Sequence, residues 1–252
     1  MALRRNSFYA EFGEAVRAAG LPGEPFLDLG DTCALFAGDG SPLTQASGTF
    51  GEEELLALTR FYRDRAASWE AVLTPFSGIE AMTRLTSPDW EAKPIGWEST
   101  LYRPLAEPLP DEPVSPEIEV RAIEGSERVA WAELTQKAFF GDEPNKIASL
   151  LTRLTTGASC IRAYMAFWNG IPASAASLTV GRGVAVLGGG GTAPEFRGKG
   201  LQTALLRRRL QDAAAEADIA TIGALPGSSS HRNAERLGFR IAWLQLSLRV
   251  PA

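Results

Sequence analysis

Residues 188–203 read Gly-Gly-Gly-Gly-Thr-Ala-Pro-Glu-Phe-Arg-Gly-Lys-Gly-Leu-Gln-Thr, and the end of that run has the composition of an anion site. A glycine-rich turn between a strand and a helix leaves the first N–H groups of the helix without partners. It aims them, with the positive end of the helix dipole, at one spot. Gly198 and Gly200 let a pyrophosphate come within hydrogen-bonding distance of the backbone, and Arg197 and Lys199 bring positive charge beside it. The glycines at 188–191 end a strand, where they permit a bulge and close approach of a ligand. Taken alone, a short Gly/Arg/Lys turn opening a helix also fits an ordinary loop.

His231 is the single histidine, a residue type suited to acid–base work, while Asp142 and Glu143 are adjacent carboxylates. Each has a plainer account too. His231 fits an exposed residue near the start of a short helix, and Asp142 and Glu143 fit a solvated turn before Pro144. The run Arg207-Arg208-Arg209 reads as a solvated helix face. Cys33 and Cys160 are too few and too far apart for a disulfide framework or a metal-ligand cluster. No metal is expected, and both read as small buried hydrophobes. A net charge of −5 argues against a nucleic-acid partner, which needs a clustered basic surface. No run approaches the ~18 apolar residues of a membrane span. The basic first residues lead to Glu11 and Glu14, not to the apolar core of a signal peptide. The expectation is a cytoplasmic protein, monomer or homodimer, with no nucleic-acid or membrane partner.

At 252 residues the chain is long enough for two domains. Residues 104–116 carry prolines that remove backbone donors and acids that favour solvent, so they read as a linker between domains at 1–103 and 117–252. After it, residues 118–122 read as a strand. Residues 127–140 read as a helix with Trp131, Leu134 and Ala138 on one side, and 146–154 as a second helix. Strand-like residues 161–168 and 171–180 are joined by Asn169-Gly170, which predicts a tight antiparallel hairpin. Residues 184–187 continue as a strand into the glycines. Thr203, Leu206, Leu210, Ala213, Ala214 and Ala217 fall at helical spacing, predicting a helix over 200–217 that covers a sheet. A strand at 219–225, a short helix at 229–237 stopped by Gly238, and a closing strand at 241–250 complete the order β-α-α-β-β-β-α-β-α-β. In the first half, 10–19 and 52–66 look helical and 26–36 and 69–75 strand-like. Gly51-Glu52-Glu53-Glu54 opens its helix with carboxylates that suit a helix N-terminus and would repel a phosphate. Trp69, Trp90, Trp97 and Trp131 read as core or interdomain packing.

The run from Thr192 through Arg197-Gly198-Lys199-Gly200-Leu201-Gln202 to Leu206 resembles the acetyl-CoA signature of the GNAT superfamily of N-acetyltransferases. That signature is Gln or Arg, two free positions, Gly, one free position, then Gly or Ala, after a Val/Thr-x-Pro strand end. About thirty residues on, Asn233-Ala234-Glu235-Arg236-Leu237-Gly238-Phe239 is similar to the family's second signature, which ends in Gly-Phe between a helix and a strand. The order of elements over roughly 116–250 agrees.

The resemblance implies an α/β (α+β) GNAT fold, a mixed and mostly antiparallel sheet flanked by helices, preceded by a degenerate GNAT-like domain that has lost the cofactor. It implies acetyl-CoA as cosubstrate. Backbone at Thr192 and Ala193 would meet the pantetheine arm, Arg197 to Thr203 the pyrophosphate, and Ser229, Ser230 and Asn233 the far side. Two departures stand out: Gln202 replaces the usual Gly or Ala, and Ala234 occupies the position of the family's tyrosine acid. Acyl transfer needs a neutral amine, a polarised thioester carbonyl and a proton for the departing sulfur. Backbone N–H in the 190–193 stretch would polarise the carbonyl, Ser230 or solvent would supply a proton, and Asp142, Glu143 or His231 would act as base. The expected activity is direct acetyl transfer to a primary amine on a small molecule or peptide. The competing class is a non-catalytic acyl-CoA-binding or sensing module.

Overall fold

The computed structural model describes residues 13, 15–18, 20, 23–111, 113–141 and 146–252. The chain divides into two compact units, Met1–Ser99 with Trp243–Ala252, and Thr100–Ala242. Of the helix expected over 10–19, residues 13 and 15–18 are described and helical, and the others lie outside the described residues.

In the first unit β1 (Phe26–Asp28) and β2 (Cys33–Leu35) form an antiparallel hairpin, Phe26 facing Leu35. The single strand expected over 26–36 is therefore two. The chain reverses at Gly30 (φ +81°), whose N–H donates to the Asp28 carboxylate at 2.9 Å. β3 (Gln45–Ser47) pairs antiparallel with β2 and parallel with β4 (Trp69–Leu73). The crossover carries α1 (Glu52–Arg63), which buries Leu55, Leu58, Phe61 and Tyr62. Tyr62 stacks on Trp69 with ring centroids 4.9 Å apart. Glu52, Glu53 and Glu54 crowd the first turn of α1, and the Glu54 carboxylate lies against Gly51 at its N-cap. The protein's own negative charge thus occupies the end of this helix. Next come α2 (Ile79–Leu85) and β5 (Lys93–Pro104). Trp97, expected to pack, is 54 % exposed.

β11 (Arg240–Val250) pairs antiparallel with β4, from Leu246 against Leu73 to Val250 against Trp69, and buries Leu246, Leu248 and Val250 in the same core. Residues 243–252 were expected with the second domain and belong to the first unit. Their alternating pattern marks a face to bury but not the strand they pair with.

In the second unit β6 (Ile118–Ala122), β7 (Arg162–Trp168), β8 (Ile171–Gly181) and β9 (Val184–Thr192) run antiparallel in sequence order, and β10 (Ile219–Ala224) joins β9 in parallel. Asn169 (φ +48°) and Gly170 (φ +79°) make the tight turn between β7 and β8. α5 (Leu201–Ala213) buries Leu201, Leu205, Leu206 and Leu210 against Tyr164, Ala166 and Leu178 of the sheet. α3 (Arg128–Phe140) covers the other face and is pinned by Trp131, whose buried Nε1 donates to Ala176 O at 3.0 Å. Between β9 and β10 the chain adds a single 3-10 turn (Pro194–Phe196) and α5, and after β10 comes α6 (Ser229–Arg236). α4 (Lys146–Gly157) follows α3. No helix among the described residues is long and apolar enough to cross a membrane.

The proline-rich stretch is bound to this second unit. Buried Arg103 donates to Leu237 O at 2.7 Å, Glu107 O at 2.6 Å and Pro108 O at 2.7 Å, and Arg207 donates to Pro110 O at 2.6 Å. Arginine forks suit a segment rich in carbonyls and poor in N–H groups. The triple-arginine run is accordingly no solvated face: Arg207 holds this strap, Arg208 pairs with Asp212 at 3.0 Å, and Arg209 is 1 % exposed.

Candidate functional site

β9 and β10 pair only over their first residues, Val184–Val186 against Ile219–Thr221. β9 then stays on β8 as far as Ser174 against Thr192, while β10 runs on to Ala224. The edge of β9 that faced β10 is thereby left with unpaired backbone. Within the departing part, Ser177 opposes Gly188 and Ala175 opposes Gly191. Two steps along β8 match three along β9, a bulge whose extra residue lies at Gly189 (φ +57°) and Gly190. A Cβ at Gly191 would come within 2.6 Å of Ala138 Cβ and 3.2 Å of the Phe139 ring, so glycine lets α3 lie directly on the strand. A Cβ at Gly190 would instead face Arg209 of α5, on the opposite side.

The end of α3 is stitched to the turn that follows β9. Arg197 donates through Nη2 to Ala138 O at 3.2 Å and through Nε to Thr192 O at 3.3 Å, and Lys137 pairs with Glu195 at 2.9 Å. Arg197 is thus a clamp as well as a charge. Lys199 sits over the Trp168 ring with Nζ 4.3 Å from its centroid. Gly198 (φ +78°) and Gly200 (φ +83°) take left-handed conformations that a side chain would strain. The space at Gly198 is open to 4 Å, and Gly200 caps α5 with no side-chain bond. Among the described residues the N–H groups of Gly198, Lys199, Gly200, Leu201, Gln202 and Thr203 have no protein acceptor. They form one cradle at the positive end of a thirteen-residue helix.

No protein-family model and no curated protein matches the chain. Solved structures do. A GCN5-related N-acetyltransferase from Kribbella flavida superposes with a TM-score of 0.70 at 16 % identity, over 100 % of this chain and 96 % of that one. A GCN5-related N-acetyltransferase from Sphaerobacter thermophilus gives a TM-score of 0.61 at 16 % identity, covering 88 % of this chain and 81 % of that one. A tandem GNAT protein from the clavulanic acid biosynthesis pathway gives 0.56 at 15 % identity, covering 100 % and 97 %. The fold is the GNAT fold.

Within this GNAT fold the expected binding residues have different duties. Ala193 donates its N–H to Ala173 O at 3.0 Å and its carbonyl accepts from Phe196 N–H at 2.9 Å, so its backbone is already used. By the alternation of an antiparallel ladder, Thr192 turns its N–H away from β8, toward the opening. Its hydroxyl lies 2.8 Å from Ser174 Oγ. Gln202 does not merely point away. Its Nε2 donates to Ser230 Oγ at 3.1 Å and its Oε1 accepts from Asn233 Nδ2 at 2.8 Å, which fixes α6 to the start of α5. Ser230 keeps its own O–H to donate. Ser229, at the start of α6, is exposed, and its Oγ accepts from Arg232 at 3.4 Å. Thr203 is partly buried in the first turn of α5.

His231 is 7 % exposed, in place of the expected exposed residue. Its Nδ1 accepts from Gly227 N–H at 2.9 Å, so the ring proton of the neutral form sits on Nε2, which is enclosed and has no partner among the described residues. In this state the ring donates and has no free lone pair to act as a base. Ala234 is fully buried, so a tyrosine there would displace the core. Glu143, with Asp142, lies outside the described residues.

Sequence reasoning missed Arg209. Leu201, Leu205, Arg209 and Ala213 recur every fourth residue, so the period that marks the inner face of α5 also marks this arginine.

Proposed function

We propose that the second unit binds acetyl-CoA and transfers its acetyl group directly to a primary amine of a small molecule or peptide in the cytoplasm. The observation that carries this reading is the cradle of unpartnered N–H groups at 198–203, placed where β9 leaves β10. The residues fit a pyrophosphate: positive φ at Gly198 and Gly200, open space at Gly198, no side-chain cap, and Lys199 close by. The α1 end of the first unit, filled by Glu54, does not. When bound, acetyl-CoA supplies a thioester whose carbonyl carbon takes the amine lone pair while the C–S electrons leave with sulfur. The N–H groups of 198–203 bind the phosphates, and Thr192 N–H binds the pantetheine arm. The bulge N–H at Gly190 polarises the carbonyl. Ser230, oriented by Gln202, relays a proton from solvent to the leaving sulfur, and Glu143, between α3 and α4 in sequence, takes one from the acceptor and returns it to solvent. Among the described residues no activated nucleophile stands at the site, which supports transfer without a covalent enzyme intermediate.

The buried Ala234 and the donor state of His231 favour a second reading, a non-catalytic acyl-CoA sensor. Titration calorimetry with acetyl-CoA, then thiol release across an amine panel, separates them. Binding with turnover supports the transferase, binding without turnover on any amine the sensor, and no binding refutes both. Gly198→Val and Gly200→Val each remove cradle contacts and should weaken acetyl-CoA by more than about 100-fold. Unchanged affinity would refute the assigned turn.

A further inference from the structure

α5 meets the sheet through an apolar stripe of Leu201, Leu205, Leu206 and Leu210, and the chain sets Arg209 inside that stripe at 1 % exposure. Burying a cation is costly unless charge and hydrogen bonds are returned to it. Arg121, Arg162, Arg208, Arg240 and Arg249 each lie beside a carboxylate, whereas Arg209 has none among the described residues. Its acceptors are all main-chain carbonyls: Leu205 O to Nε at 3.1 Å, Ser177 O to Nη1 at 2.8 Å and Gly188 O to Nη1 at 3.2 Å. Part-buried Arg128 also has no carboxylate beside it among the described residues, but its Nε and both Nη groups are all engaged. Arg209 Nη2 has no acceptor among the described residues. It lies 3.7 Å from the point where Gly190 would carry a Cβ.

These contacts are specific to the bulge. Ser177 and Gly188 are the facing pair from which the β8–β9 register slips, and a bulge leaves ladder groups there unpaired. One guanidinium nitrogen accepts the role of both missing donors. The same residue belongs to the helix whose first turn forms the cradle, so bulge and cradle are held in a fixed relation through one rigid element. Burial pushes Arg209 down to about 9, which still leaves it charged at neutral pH.

We infer that Arg209 is a positioning residue for acyl transfer: it pegs the bulge at Gly189–Gly190 and sets an uncompensated positive charge behind the amide that faces the thioester carbonyl. This rests on the acetyl-CoA reading above. The negative charge that develops on that carbonyl oxygen is the anion the buried cation lacks in the resting protein. Its electrostatic effect acts from a buried position, 1 % exposed, where charge interactions are stronger than at the surface.

The test uses the whole chain with Arg209→Met and Arg209→Lys. Acetyl-CoA labelled with carbon-13 at the carbonyl is bound to each protein, and its chemical shift is read beside calorimetric affinity and kcat on a responsive amine. Wild type should move the carbonyl signal downfield of free acetyl-CoA. Arg209→Met should bring it back toward the free value and lower kcat about 10- to 100-fold with affinity unchanged. Arg209→Lys, which keeps the charge but not the fork, should fall between. A folded Met variant with the wild-type carbonyl shift and kcat overturns the inference. If Met does not fold, a Lys variant with wild-type shift and kcat does the same. Failure of wild type to bind acetyl-CoA would instead sink the reading on which it rests.

Discussion

Replacing Gly191 by Ala drives a methyl group into space held by Ala138 of α3. A Cβ there stands 2.6 Å from Ala138 Cβ, whereas carbons in contact settle at about 3.5–4.0 Å. The Phe139 ring, 57 % exposed, can swing aside. Ala138 Cβ moves only with its backbone, so strand and helix must part by about 1 Å. Overpacking of this kind costs about 1–3 kcal/mol. Ala138→Gly alone should cost about 1 kcal/mol through helix propensity. In the double variant the collision is gone, so it should lose little more than Ala138→Gly alone, leaving a coupling of about 1–3 kcal/mol. Urea denaturation of the four proteins, with m held constant, measures the cycle. Losses that add to within about 0.5 kcal/mol would refute the direct contact. The separation should also be felt at the site, because Arg197 and Lys137 join the same helix end to the turn before α5.

Arg128 donates to Thr155 O, Thr156 O, Ala158 O and Ile161 O at 2.8–3.2 Å, closing the C-terminal end of α4. Arg128→Met should cost about 2 kcal/mol and speed amide hydrogen exchange over 146–157; unaltered exchange there would contradict the cap. Burial, and then the hydrogen bond to Asp212, push Tyr164 up to about 12, above the ordinary value of about 10. The folded state then holds the proton more tightly than the unfolded one. Its contribution is complete below about pH 10 and fades as pH rises toward about 12. Denaturation midpoints across that window should fall more steeply in wild type than in Tyr164→Phe, and equal slopes would discard this account.

The cradle was legible because its logic is local. Positive-φ glycines, a helix start and a strand end are all adjacent in the chain, and Asn169-Gly170 announces its turn for the same reason. The stripe of α5 was legible from its period, although the helix ends at Ala213 and not at 217. What stayed hidden depends on partners distant in sequence. Nothing in residues 184–192 says that Ser177 will set the bulge. Gln202 looked like a departure from a pattern until Ser230 and Asn233 gave it two bonds. β5 was not read at all, since its exposed first half, with Lys93, Pro94 and Gly96, lacks the alternation that reports a buried face. Arg209 was misread because its charge was weighed and its position in the period was not.

The pairing of β4 with β11 sets an order of events during synthesis. Glu70 and Arg249, an ion pair at 2.7 Å, are 179 residues apart in the chain. The ribosome therefore makes all of the second unit before it releases the strand that covers Trp69 and Leu73. Until then the first unit exposes an open strand edge with part of its core uncovered, the condition in which nascent chains meet chaperones or one another. The second unit has no such wait for β6 to β10, which neighbour one another within about a hundred residues of chain. The half of the molecule made first is thus the half that finishes folding last.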